Sequence, residues 1–420
     1  MLDLRLIRAE PDRVRAALVR RGDAGGLDAL IALDDECRGV RTAVEQTRAQ
    51  RTTASKAIGQ AKRAGQDASA AEAEARALGE RLGVQEAELR ELENRRDTDL
   101  LVLPNLAEDA APDGGEDDAI ELRRVGTPPL FDFPVLDHVD IGTAAGVIDL
   151  ERGARTSGSR FVYLLGPMVR LQLALVSFAV DLLEDAGFTP VVPPVLVREE
   201  AMYGTGFFPT DRASIYQTAD DDLYLVGTSE VPLAAFHQDE ILDVEGLPLR
   251  YAGISSCFRR EAGAAGKDTR GMFRVHQFDK VEMFSFCHPD NSAQEHQLIL
   301  SMQERILQAL DLPYRVVDIA IGDLGASAAR KFDCEAWMPG QERYREVTSS
   351  SNCTDYQARR LRCRFRSGKA TEPVHTLNGT AIALGRTMIA ILENHQRQDG
   401  SVAIPFALVQ HGAPMEIRPK

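Results

Sequence analysis

Ile254-Ser255-Ser256-Cys257-Phe258-Arg259-Arg260-Glu261 leads into a loop holding Gly263, Gly266, Lys267, Asp268, Arg270 and Gly271. The chain returns through Phe273-Arg274-Val275-His276-Gln277-Phe278-Asp279-Lys280-Val281-Glu282. The pattern predicts strand, loop, strand, with glycines giving the loop backbone freedom. Side chains alternate along a strand with period two, so Arg259 and Glu261 are expected on one face. An arginine there can clamp a phosphate or a carboxylate through two parallel hydrogen bonds. A glutamate beside it can accept from an amino group. The same residues fit an ordinary surface hairpin with a cross-strand ion pair, and the stretch alone leaves both readings open.

A chain of 420 residues is too long for one small core and predicts two or three domains. Its 44% apolar and 27% charged residues fit a soluble globular protein. A net charge of -15 does not mark a nucleic-acid binder, so such a partner would need a local basic surface. The cysteines, at 37, 257, 287, 334, 353 and 363, show no Cys-x-x-Cys spacing and no zinc-finger histidines. They read as small buried residues in a reducing cytosol. The N-terminus has acids and no apolar run, unlike a secretion signal. The longest apolar run, 161–183, is interrupted by Arg170, Gln172 and Asp181, which predicts a buried helix and no membrane span.

Residues from about 27 to 63 hold no proline, and a second proline-free run follows from about 70 to 99, with Leu78, Leu82, Leu89 and Leu92 on helical spacing. These predict two long helices folded back as an antiparallel coiled coil, an arm over about 27–99. Each helix would be roughly 45–55 Å long at about 1.5 Å per residue. The first carries Arg38, Arg41, Arg48, Arg51 and Lys56; the second is rich in glutamate. By charge alone, a basic helix paired with an acidic neighbour is favoured over a phosphate-binding stripe. An acidic, Gly- and Pro-containing linker is expected over 106–130, and a second domain over 131–420. In the latter, Gly166-Pro167 opens a helix reaching Asp185, and the prolines of 188–194 confine the next extended segment to a sheet edge or a subunit interface.

Phe258-Arg259-Arg260-Glu261 and its return strand resemble motif 2 of the class II aminoacyl-tRNA synthetases, and the return resembles the seryl-tRNA synthetase family in particular. Residues 377–387, Leu-Asn-Gly-Thr-Ala-Ile-Ala-Leu-Gly-Arg-Thr, resemble motif 3; the helix and proline-rich segment at 167–194 resemble motif 1, which builds a homodimer. The arm and Leu103-Pro104-Asn105-Leu106 resemble the family's N-terminal domain, which grips tRNA-Ser. The resemblance implies an α+β fold: a six- or seven-stranded antiparallel sheet flanked by helices, behind the N-terminal domain (1–105).

Joining an amino-acid carboxylate to the α-phosphate of ATP brings two anions together and needs fixed cations and a metal. The resemblance makes Arg259, Glu346 and Arg386 the catalytic set. It implies an ATP site of Arg259, Arg260, Glu261, Phe273, Val275, Glu346, Val347, Thr348, Ser349 and Arg386. Glu346 and Ser349 are hard oxygen donors suited to Mg²⁺. The implied serine pocket is Thr228, Ser229, Glu230, Glu282, Asn378 and Thr380. Taken singly, each of these is a solvated or capping residue. His276 is expected to be structural, because a carboxylate nucleophile needs no general base. Without a cysteine beside the pocket glutamates, no zinc is expected. The implied protein is a cytoplasmic, homodimeric serine–tRNA ligase using ATP, L-serine and tRNA-Ser. Charging of the selenocysteine tRNA, a specialised paralogue and a non-catalytic paralogue stay open, the more so because the sequence departs from the family after Pro405.

Overall fold

The computed structural model describes residues 1–23, 25–262, 268 and 270–420. The chain divides into two compact units, Leu2–Leu103 and Pro104–Lys420, the latter joined by Met1. No described helix is long and apolar enough to cross a membrane.

The first unit is built on α1 (Leu27–Arg63) and α2 (Ser69–Val102), preceded by short helices at Leu4–Ala9 and Pro11–Arg20. Leu30, Leu33, Cys37 and Val44 of α1 and Leu82, Leu92 and Leu100 of α2 are buried. Leu78 and Leu89 are half-buried. Ion pairs Arg41–Glu93, Arg48–Glu86 and Lys62–Glu72 descend α2 as they climb α1, which fixes the antiparallel register. One acid, Asp34, is buried in α1. Arg8 donates to it at 2.6 and 2.7 Å, and this bond, despite the opposing effect of burial, holds its carboxyl below the usual range.

The second unit is organised on an eight-stranded sheet: β1 (Ile120–Val125), β2 (Thr189–Val191), β3 (Leu249–Phe258), β4 (Gln277–Cys287), β5 (Tyr314–Asp318), β6 (Arg330–Met338), β7 (Arg343–Asn352) and β8 (His375–Ala383). The order is β1-β5-β6-β7-β8-β4-β3-β2. Every pair is antiparallel except β2 with β3. The strand count exceeds the six or seven expected. The extra edge strand, β1, lies inside the stretch expected as linker. Its backbone pairs with β5 while Ile120 and Leu122 stay exposed, and Arg123 and Arg315 bind Glu304 and Glu121. A charged edge of this kind reads from sequence as a loop. Asn105, before it, is also fixed: its Nδ2 donates to the Ser327 and Cys353 carbonyls, each at 2.9 Å.

Helices α3 (His138–Ala144), α4 (Pro167–Asp185), α5 (Ser292–Ala309), α6 (Tyr356–Leu361) and α7 (Leu384–Asn394) complete the frame. Leu171 and Leu175 of α4, Ile299 and Ile306 of α5, and Met388 and Ile391 of α7 share one core with Val281, Met283 and Leu377 of the sheet. The divergent C-terminal segment joins this core through Leu408, Ala413 and Ile417. The other face of the sheet carries Lys280, Glu282, Ser349, Asn378 and Thr380 into an open cavity.

Two bulges aim that face. Cys334 opposes Thr348 while Glu335 opposes Glu346, so Val347 is an extra residue in β7. Glu346 and Ser349, three apart, thereby share a face. Ala381 is the extra residue in β8, since Thr380 opposes Glu282 and Ile382 opposes Val281. Between the two site residues of β8 sits Gly379, where a Cβ would stand 2.4 Å from Ile299 Cγ2 and 3.1 Å from Ser350 Cβ. Gly379→Ala is therefore expected to destabilise this unit by about 1–3 kcal/mol through overpacking. Thermal unfolding measures it, and an unchanged midpoint would show that α5 yields without resistance.

Candidate active site

Strand β3 stops at Phe258, one residue before the expected arginine. The Arg259 amide bonds the His276 carbonyl at 2.9 Å, the Arg260 amide turns to Ser214, and Glu261 takes a left-handed backbone with φ +51°. Arg259 and Glu261 are thus not neighbours on one strand face. The return strand likewise begins at Gln277 rather than Phe273. Loop residues 263–267 and 269 lie outside the described residues.

Two adjoining cavities, sharing Arg259, Lys280, Glu346 and Thr380, lie over the site face. The smaller, about 70 Å³, is lined by Glu261, Phe273, Val275, Val347 and Arg386 among others. The Arg345 and Arg386 guanidinium carbons lie 3.9 and 4.7 Å from the Phe273 ring centroid. Arg274 donates to Glu261 at 2.9 Å. Arg386 donates to the Glu346 carbonyl at 3.0 Å and lies 3.2 Å from its carboxylate. Partial burial would push the Glu346 carboxyl up, but Arg386, Lys331 and Arg259 outweigh it and hold it at about 2.

The larger cavity, about 350 Å³, is lined by Thr228, Glu230, Glu282, Ser349, Asn378 and Thr380, with Lys331 at its wall. Glu230 opens the short helix Glu230–Ala235, and its Oε1 accepts from Gln357 at 2.8 Å and Asn378 at 3.0 Å. Burial, reinforced by Glu282, raises its carboxyl to about 7. Glu282 Oε2 accepts from Thr380 at 3.1 Å and from Lys280 at 2.5 Å. The Lys280 ammonium also donates to Thr228 Oγ1 at 2.7 Å. Burial raises Asp333, 3.1 Å from Lys331 and opposite Ser349, to about 6.

Three expected members fall outside both cavities. The Arg260 guanidinium lies over Tyr216, the fully buried Ser229 points to the Gly253 carbonyl, and Thr348 is buried on the opposite face of β7. His276 donates through Nδ1 to the Arg259 carbonyl, a structural bond. Lys280, Lys331, Asp333, Arg274, Arg345 and Gln357 were not anticipated. Lys280 alone carried a signal: it shares the face of Glu282 by strand alternation. On the arm, Arg38, Arg41 and Arg48 each pair with a carboxylate, whereas Arg51 and Lys56 are exposed and have none among the described residues.

The site can therefore hold a small ligand with an ammonium and a hydroxyl, against two carboxylates, beside a pocket with an aromatic ring and arginines for an aromatic anion. Residues 213–395 match the model of the tRNA synthetase class II core domain (G, H, P, S and T), and residues 1–107 that of the seryl-tRNA synthetase N-terminal domain. The chain is 50% identical to serine–tRNA ligase of Acidothermus cellulolyticus and 51% identical to that of Nocardia farcinica, covering all of both chains in each case. Its fold superposes on a crystal structure of seryl-tRNA synthetase from Pyrococcus horikoshii complexed with ATP, with a TM-score of 0.95, 43% identity and full coverage of both chains. With both units matched over their whole length, the chain belongs to the seryl-tRNA synthetase family.

Proposed function

We propose that the protein is a serine–tRNA ligase that activates L-serine with ATP and transfers the seryl group to the 3′ end of tRNA-Ser. The observation that carries this reading is the pair of joined cavities, one with two buried carboxylates of opposite neighbourhood and one with Phe273 against two guanidinium groups. Glu230 would accept the serine ammonium on Oε2, the oxygen that Gln357 and Asn378 leave open. Glu282 would take the serine hydroxyl beside Thr380 and Lys280. A pocket that leaves such groups unpaired when alanine binds discriminates strongly. Arg259, common to both cavities, would hold the serine carboxylate and the α-phosphate together while Phe273 and Val275 take the base.

The Glu346 carboxylate, held ionised, and the Ser349 hydroxyl on the same face form a hard-oxygen set that fits Mg²⁺. Bound there with ATP, Mg²⁺ would neutralise phosphate charge as pyrophosphate leaves. Homodimerisation through α4 and β2 is supported by exposed Val169, Leu173 and Val192 along that edge. The arm would bind the tRNA backbone through α1, with Arg51 and Lys56 the cations best placed to do so. A cytoplasmic location follows from the proposed role in translation.

Arg259→Ala is expected to reduce serine-dependent ATP–pyrophosphate exchange by roughly a hundredfold or more, the scale of losing a transition-state donor. Survival of exchange would remove Arg259 from the α-phosphate. The pH dependence has a definite sign. The raised Glu230 carboxyl is protonated in the empty pocket below about pH 7, and an ammonium must displace that proton. The KM for serine should fall about tenfold between roughly pH 6 and 8, and Glu230→Gln should raise it and flatten the profile. A profile unchanged by that substitution would exclude Glu230 as the ammonium acceptor. Replacing Arg51 and Lys56 together by Ala is expected to raise the KM for tRNA several-fold, lower the salt dependence of charging, and leave pyrophosphate exchange intact. Equal loss of both activities would sink the tRNA-binding role of the arm.

A further inference from the structure

The structure assigns to His138 a role as a positioning residue for the nucleotide: it fixes Phe273 relative to Arg386 without touching either cavity. The inference rests on the ligase reading above. His138 opens α3 and is 4% exposed. Its Nε2 accepts the Met272 amide at 3.2 Å. That bond needs a lone pair on Nε2, so the ring proton sits on Nδ1, 2.9 Å from Glu393 Oε1. Glu393 is buried in the last turn of α7 and also accepts from the His138 amide at 3.1 Å and the Gly340 amide at 2.9 Å. One buried carboxylate therefore takes three N–H donors, and the imidazole extends that anchor to the backbone one residue before Phe273.

Gly271 permits the approach. Its φ is +83°, and a Cβ there would stand 2.1 Å from His138 Nε2. A second tie lies alongside, where Arg270 donates to Asp140 at 2.5 Å and lies 3.4 Å from Asp137, which caps α3. Arg386 sits in the first turn of α7, the helix that Glu393 closes. His138 thus ties the return of the motif 2 loop to the motif 3 helix. The distance between the Phe273 ring and the Arg386 cation, 4.7 Å, is set from outside the pocket. Because the clasp meets the chain at Met272, its loss should act on the nucleotide and spare the amino acid.

Two substitutions at one position separate positioning from mere packing. His138→Asn keeps a donor near Glu393 but has no atom that reaches the Met272 amide. His138→Gln keeps an acceptor near the Nε2 position. Pyrophosphate exchange kinetics are measured together with hydrogen exchange of backbone amides over 270–276. His138→Asn is expected to raise the KM for ATP about threefold to tenfold, the scale of one lost hydrogen bond, to leave the KM for serine nearly unchanged, and to speed amide exchange over 270–276. His138→Gln, which keeps the Met272 contact but loses the Nδ1 donor to Glu393, should fall between the parent and His138→Asn in KM for ATP and amide exchange and leave the KM for serine unchanged. Gly271→Ala, whose Cβ would collide with His138 Nε2 and part the ring from the Met272 amide, should reproduce the Asn phenotype and serves if His138→Asn does not fold. Equal shifts in both KM values, equal behaviour of Asn and Gln, or unchanged amide exchange would overturn the assignment. A parent protein without serine-dependent exchange would instead sink the ligase reading, while amide exchange, which needs no turnover, would still decide the clasp.

Discussion

A single buried carboxamide holds the two halves of the site in register. Gln303 of α5 is fully buried, and its Nε2 donates to the Ser349 carbonyl at 2.8 Å and the Thr380 carbonyl at 2.9 Å. Both carbonyls lie one step past the Ser350–Gly379 pair, where the ladder between β7 and β8 stops. A buried carbonyl left unpaired costs about 1–3 kcal/mol, and one amide nitrogen answers two of them. Gln303 thus bridges the two strands where their own pairing ends, and the hydroxyls of Ser349 and Thr380 are held by the same contact from behind the sheet.

Above that frame, charge is sorted by neighbours. Glu346 meets Arg386, Lys331 and Arg259, and remains ionised down to about pH 2. Glu230 meets Glu282 and two neutral amides, and holds its proton up to about pH 7. Two glutamates in one connected space thus have different chemistry: Glu346 is a standing anion among cations, and Glu230 an acceptor that would charge when a cation arrives. Lys280, bonded to both Glu282 and Thr228, keeps the larger cavity from carrying two uncompensated acids.

Much of this was legible in the sequence, and the remainder was hidden for physical reasons. The proline-free runs and leucine spacing marked the arm, and the motifs located Arg259, Glu282, Glu346 and Arg386. What failed was parity. Arg259 and Glu261 looked like strand neighbours, yet β3 ends at Phe258. Glu346 and Ser349 share a face only because Val347 is an extra residue, and a bulge of this kind carries no residue signature. Strand β1 escaped because Ile120 and Leu122 stay exposed and its centre is charged. Lys331, Asp333, Arg345 and Gln357 are brought in by pairings distant in sequence, which no local pattern encodes.

The arm's ion pairs have a consequence for any polyanion that lies along it. Arg41 and Arg48 are each occupied by a glutamate of the facing helix. A phosphate that recruits either one releases that glutamate, so the grip on the ligand and the stiffness of the hairpin draw on the same charges. Each such contact is an exchange of partners rather than a new neutralisation. The count of salt ions set free on binding then falls short of the number of arginines drawn along α1, and a shallow salt response can accompany an extensive interface.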